Sequence, residues 1–298
     1  MLTLPELIDQ LLNVRQLPTI SSVALVLEQS LNEEEPEIQR ISRIISEDPA
    51  ITSMVLKLAN SALYGARRTF SSIQDAVMRL GFQEIRKMVM ALAIVEYLVN
   101  KNFDMIDPPQ FFSHSIGVAS GMELINSTAG MVTENSNQLY VIGLLHDLGR
   151  WVTANYLPEV HQHIMPENNT ESENKDIIKL ERQNIGLDHA QIAAALLERW
   201  GLPLTIVQGV RFHHEPDAAP EATKKLSRLI YLVDNLCMKH KIGEVGEGLD
   251  GQIPETAWKR LGLSPDAEER ILPQIKAVLE HSEVLLSIGG YRGEKARQ

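Results

Sequence analysis

The stretch Val141–Arg150, VIGLLHDLGR, decides how this chain is read. An apolar run at helical spacing ends in His146 and Asp147, with Gly149 and Arg150 behind, where a neutral or capping residue is the usual close. Imidazole and carboxylate side by side are two donors of an N/O metal site. Adjacent helical positions point about 100° apart, so the pair does not chelate as an i, i+4 pair does. Its geometry suits His146 to one metal and Asp147 to bridging toward a second.

Partners for such a pair occur along the chain. His114 sits early in one apolar helix, His189 opens another, and His213–His214 closes a third. Asp234 interrupts the apolar run LIYLVDNLC, and a buried carboxylate must be paired, protonated or bound to a cation. Each has a plainer reading alone. A histidine at a helix end interacts well with the dipole, and Asp234 can accept hydrogen bonds from a tyrosine or backbone group. Together they fit one centre built by helices of a bundle. His161, His163, His240 and His281 lack such context and read as solvated surface.

The rest of the 298 residues limits the alternatives. Apolar residues make up 44% and aromatics only 5%, so Leu, Ile, Val, Ala and Met fill the core, a bias toward helices. A net charge of −11 argues against general nucleic-acid binding, which rests on Lys and Arg against phosphates. It argues equally against an anionic membrane surface. The lone Cys237 excludes a disulfide framework within the chain and any Cys-rich zinc site, and reads as a buried small hydrophobe. Neither a signal peptide nor a bilayer-spanning segment is visible, so the expected location is cytoplasmic.

Helical periodicity runs nearly throughout. Asp48 and Pro49 suit the N-cap and first position of a helix whose stripe is Ile51, Met54, Val55, Leu58 and Ala59, with Gly65 as a stop. Ser72 and Asp75 form a capping pair before a helix that Gly81 breaks. A second helix over Gln83–Val99 turns Ile85, Met88, Val89, Leu92 and Val95 inward. The proline pair 108–109 reads as loop, with a helix from about Phe111. Residues 158–174 read as the most irregular stretch. The small residues of GVASG, from Gly117, permit close helix packing. No βαβ alternation, glycine-rich phosphate loop or internal repeat occurs. The expected class is all-α.

Several motifs in order resemble the HDOD family: RQLPTISSVALVLEQSL, ISEDPAITSMVLKLANSALYG, SSIQDAVMRLGFQEIRKMVMALAI, LLHDLGR, and LERQNIGLDHAQIAAALLERWGLP with VRFHHEP. LLHDLGR itself is similar to the signature of the HD superfamily of metal-dependent phosphohydrolases. The resemblance implies an HD-domain-like helical bundle with an N-terminal helical subdomain. The HDOD domain is expected over residues 10–240, its N-terminal part to about 104 and its metal-binding part over 105–240, with a helical extension over 241–298.

Members are common in bacterial signalling, and many lack the metal ligands. Here the ligand order of the related HD-GYP phosphodiesterases is filled by His114, His146, Asp147, His189, His213, His214 and Asp234. By that likeness Asp147 bridges two divalent transition metals. His114, His146 and Asp234 serve one, and His189, His213 and His214 the other. Iron or manganese is preferred over zinc or nickel. Arg150 stands where those enzymes carry a lysine and is the candidate phosphate contact, while HHEPDAAP lacks their Gly-Tyr-Pro loop.

The leading expectation is a regulatory protein with a dinuclear metal site and an unidentified signalling partner. The alternative is an active phosphohydrolase on a nucleotide or cyclic dinucleotide. A third reading, DNA binding through the helix–Gly–helix of residues 72–92, is weaker, because that second helix is apolar and the chain acidic.

Overall fold

Capping residues place the helices where the sequence puts their starts. In this computed structural model the described residues are 21–60, 69–99, 105–128, 138–165, 177–243 and 253–288. Leu17 and Pro18 of the first family motif, Gly65, and residues 244–252 and 289–298 of the expected extension lie outside them. Among the described residues there is no strand, and no helix is long and apolar enough to cross a membrane. The chain forms two compact units.

The N-terminal unit takes the described residues between 21 and 99 with 200–202 and 281–288. Its helices are α1 (Ser22–Leu31), α2 (Ile38–Ser46), α3 (Pro49–Ala59) and α4 (Ile73–Val99). Asp48 Oδ1 accepts from the Ile51 amide at 3.1 Å, so Pro49 occupies the first helical position, where its missing N–H costs nothing. Ser72 Oγ accepts from the Asp75 amide and donates to the Asp75 carboxylate. Gly81, at φ +80°, divides α4 in a conformation L side chains rarely adopt. Leu27, Ile41, Ile45, Ile51, Val55, Ile85 and Val89 fill the core. Ile38, at the start of the α2 stripe, is exposed.

Arg86, on the second helix of the segment weighed above for DNA contact, is 1% exposed, with Nε 3.1 Å from the buried Glu28 carboxylate. Its charge is spent inside the unit, and the helix–Gly–helix segment is an αα-hairpin of the core.

The second unit takes the described residues between 105 and 280, apart from 200–202. Its helices are α5 (Pro108–Thr128), α6 (Leu139–Leu145), α7 (Leu148–Tyr156), α8 (Pro158–Ile164), α9 (Ile177–Ile185), α10 (His189–Arg199), α11 (Leu204–Arg211), α12 (Glu221–Lys239), α13 (Glu255–Lys259) and, through residue 280, α14 (Ala267–Ile288). A 3-10 turn spans Pro216–Ala218.

Two expectations are corrected. The proline pair 108–109 opens α5, capped by Asp107, because prolines cost no hydrogen bond in a first turn. Residues 158–164 are a helix, and its His161 is buried rather than solvated. Ile164 shares that buried face, so the polar letters between them hid a short amphipathic turn.

Small residues set the helix spacing here. A Cβ at Gly117 or Gly121 of α5 would overlap Ile242, Val233 or Ile275, and one at Gly143 would meet the backbone of Ala119. Trp258 anchors α13, and Ala267, Ile271 and Ile275 bury one face of α14.

Asp48→Ala is expected to destabilise the N-terminal unit by about 1 kcal/mol, the usual value of an N-cap. Urea unfolding followed by circular dichroism reads it, with Ser72→Ala a second cap of similar weight.

Candidate metal centre

Five separate segments of the second unit bring the seven predicted residues to one place. His114 comes from α5, and His189 is the first residue of α10. His213 and His214 follow the end of α11, and Asp234 lies on α12. His146 and Asp147 occupy a break in the helical run, His146 ending α6 and Asp147 preceding α7. Their donor atoms fall into two sets, each within 4.8 Å: His114, His146 and Asp234 in one, and Asp147, His189, His213 and His214 in the other. Asp147 also reaches the first set, with Oδ2 3.5 Å from His146 Nε2 and 3.8 Å from His114 Nε2.

Four of the rings are held alike. His146 Nδ1 donates to the Gly143 carbonyl and His213 Nδ1 to the Val210 carbonyl, each at 2.7 Å. His114 Nδ1 donates to the Ile242 carbonyl at 3.1 Å, and His189 Nδ1 to Glu181 Oε2 at 2.8 Å. A carbonyl or carboxylate only accepts, so each Nδ1 carries the hydrogen, which in the neutral ring leaves the Nε2 lone pair facing inward. Metal-ligating histidines are oriented in this way, by an acceptor behind the ring.

Whether the centre fits a cation is tested by the inward atoms. Nε2 of His146 and Nε2 of His213 are buried and make no hydrogen bond. The nearest carboxylate oxygens stand at 3.5 and 3.6 Å from the first and 3.9 Å from the second. Nε2 of His214 lies 2.8 Å from Nε2 of His189, a hydrogen bond between the two rings. The lone pairs of His146 and His213, buried without a donor, are unfavourable in a dry interior. The donor set fits a divalent cation.

Protonation follows the same geometry. Burial, and then the neighbouring His146 and His189, push His213 down to about 3, so its ring is neutral. Burial also works against a charged His189, but Glu181 and Asp147 outweigh it and raise the ring to about 9. Burial would raise the carboxyls of Asp147 and Asp234. Arg150 and the histidines around Asp147, and His114 and His146 around Asp234, hold both well below the usual carboxylate range.

Arg150 was expected to meet phosphate. Its side chain is 5% exposed with Nε 3.6 Å from Asp147 Oδ1, so its first effect is on the carboxylate. Glu181 escaped the sequence reading. It accepts from both the ring and the amide of His189, and its carboxyl is drawn down despite burial. Its signal was the same as that of Asp234: a carboxylate on the apolar face of a helix, four residues from Ile177 and from Ile185. Glu215 faces solvent and pairs with Arg182 at 2.6 Å.

An all-helical bundle whose core holds a His/Asp donor cluster of this order is an HD-type domain. A model of the HDOD domain matches residues 17–216, and the chain belongs to the HDOD family. An uncharacterized protein of Treponema pallidum (strain Nichols) is 27% identical over 257 residues, 84% of this chain and 46% of that one. The chain thus spans less than half the length of that relative. The crystal structure of an HDOD domain protein with unknown function from Geobacter sulfurreducens is 26% identical, with a TM-score of 0.70 over 95% of both chains. That of a protein called "Putative phosphohydrolase" from Shewanella amazonensis SB2B, 23% identical over 95% of both chains with a TM-score of 0.65, shares the fold.

Glu181→Gln, which keeps shape and removes the charge behind His189, is expected to weaken metal affinity by roughly 10–100-fold. Competition against a metal-sensitive chelator measures it. Gly149→Ala is expected to cost about 1–3 kcal/mol, the range for overpacking, because its Cβ would overlap the His189 carbonyl where α7 meets α10. Thermal melts report that loss.

Proposed function

We propose that the chain is a regulatory HDOD protein whose centre holds two divalent transition metals and hydrolyses a phosphoester. One observation carries the reading: Asp147 belongs to one donor set and stands 3.5 and 3.8 Å from two donors of the other, and each set contains a buried Nε2 without a hydrogen bond. His114, His146 and Asp234 would hold one ion, and His189, His213 and His214 the other, with Asp147 between them. An N/O set without thiolate suits iron, manganese, zinc or nickel. Bound there, two divalent ions supply Lewis-acid polarisation of a phosphoryl group and a nucleophile at neutral pH.

The chain's own residues prepare the place. Arg150 keeps Asp147 ionised, and Glu181 fixes the ring and tautomer of His189. Backbone carbonyls do the same for His114, His146 and His213. Burial keeps bulk water away and strengthens every charge interaction at the centre. His214 is the only partly exposed member of the two sets, so a substrate enters on its side. The regulatory half of the reading rests on the family, and its protein partner would be a signalling protein.

Protein purified without oxygen is expected to carry metal by elemental analysis and to turn over a simple phosphodiester, a cyclic dinucleotide or a nucleotide. His146→Ala should lose both metal and turnover. Metal without turnover on any of these would sink the hydrolase reading and leave a sensing or structural centre. Metal-free protein would sink both.

A further inference from the structure

Beside His214 the second unit opens a groove of about 450 Å³, lined on one side by the 3-10 turn and α12 and on the other by α13. One face of α12 runs from the metal centre into it: Asp234 at the centre, then Tyr231 and Arg228 at successive three-residue steps. Arg260 approaches from the far wall at the end of α13. Asp217 on the turn gathers the two arginines. Its Oδ1 accepts from Nε and Nη2 of Arg228 at 3.1 and 2.9 Å, and its Oδ2 from Nη1 of Arg260 at 2.6 Å.

Two guanidinium groups share the single carboxylate of Asp217, whereas Arg182 alone answers both Glu215 and Asp188. The positive charge is thus gathered at the Arg228–Arg260 end of the groove. Each guanidinium carries five N–H donors, of which Asp217 engages two on Arg228 and one on Arg260. The planar forks suit a phosphate. Tyr231 stands partly buried between, its hydroxyl sensing the charges of both Asp234 and Arg260, and offers an amphipathic ring to a sugar or base. Arg228, Tyr231 and Arg260 all lie beyond the residues matched by the family model, 17–216.

We propose that this groove is a second-phosphate subsite, so that the centre selects a nucleotide-sized ester carrying one phosphoryl group toward His214 and another held by Arg228 and Arg260. The proposal rests on the phosphoester reading above and names its substrate class. The volume falls within the ordinary range for small-molecule sites, about 300–1,000 Å³. It exceeds what a lone inorganic phosphate needs.

Titration calorimetry with adenosine 3′,5′-bisphosphate and adenosine 5′-monophosphate, on the full chain with and without added Mn²⁺, tests it. The bisphosphate is expected to bind ~10-fold more tightly or better, the size of one charge-assisted hydrogen bond. Arg260→Gln, at an exposed position outside the core, and separately Arg228→Gln, should each collapse that preference toward equality. Equal affinity for the two probes in the unaltered chain, a preference that survives both substitutions, or no binding of either probe would each overturn the subsite. Turnover plays no part in the readout, so a protein that hydrolyses nothing fails the earlier reading while this comparison still stands or falls alone.

Discussion

Asp147 and Asp234, each 3% exposed, sit in the interior of the second unit, and most of that unit answers to them. A charged carboxylate taken out of water costs several kcal/mol unless opposite charge and hydrogen bonds surround it. Counting Glu181, three buried carboxylates face one buried guanidinium, Arg150, leaving two negative charges to be met. A protonated His189 answers part of this, but His213 and His214 are driven neutral by burial and by their charged neighbours. A bound cation would meet the remainder, and Nε2 of His146 and of His213 face that place without a hydrogen bond.

Small residues make that arrangement possible. Donor atoms within 4.8 Å require the helices bearing them to approach closely. Gly143 and Gly149, flanking His146–Asp147, let α6 lie against the α5 backbone and α7 against the first residue of α10. The same short segment therefore supplies two donors and both approaches that locate their partners. Since the donors span residues 114 to 234, a bound cation would tie together segments far apart in sequence, and its binding energy is then also folding energy for this unit. Among the described residues the N-terminal unit contributes no donor and has its own buried pair, Glu28–Arg86.

Helix class and the Asp48 and Ser72 caps were legible in the sequence from local chemistry, whereas the grouping of the seven His and Asp residues came from the resemblance to the HD-GYP ligand order. Asp48–Pro49, Ser72–Asp75 and the Gly81 break are readable within four residues. Asp234 announced itself as a charge in an apolar run. What stayed hidden was nonlocal. Arg86 looked like a surface cation because Glu28, its partner, lies 58 positions away. His161 looked like surface because only two positions of its short helix are buried. Glu181 was overlooked because its role depends on where α9 brings it against His189. The groove by His214 could not be foreseen, since Asp217, Arg228 and Arg260 meet only after α13 folds back.

Arg150 gains its meaning from the same charge balance. A lysine in its place would bring a strongly hydrated point charge that sheds its proton readily when buried, whereas a guanidinium keeps its charge in a protein interior. At 3.6 Å from Asp147 Oδ1 that permanence matters. It holds the Asp147 carboxylate well below the usual carboxylate range despite burial, with the surrounding histidines adding to the effect. Burial and the Arg150 charge also lower the nearby His161, which keeps a second cation from forming behind it. A fixed interior charge beside Asp147 thus stands in place of the phosphate contact first expected of Arg150.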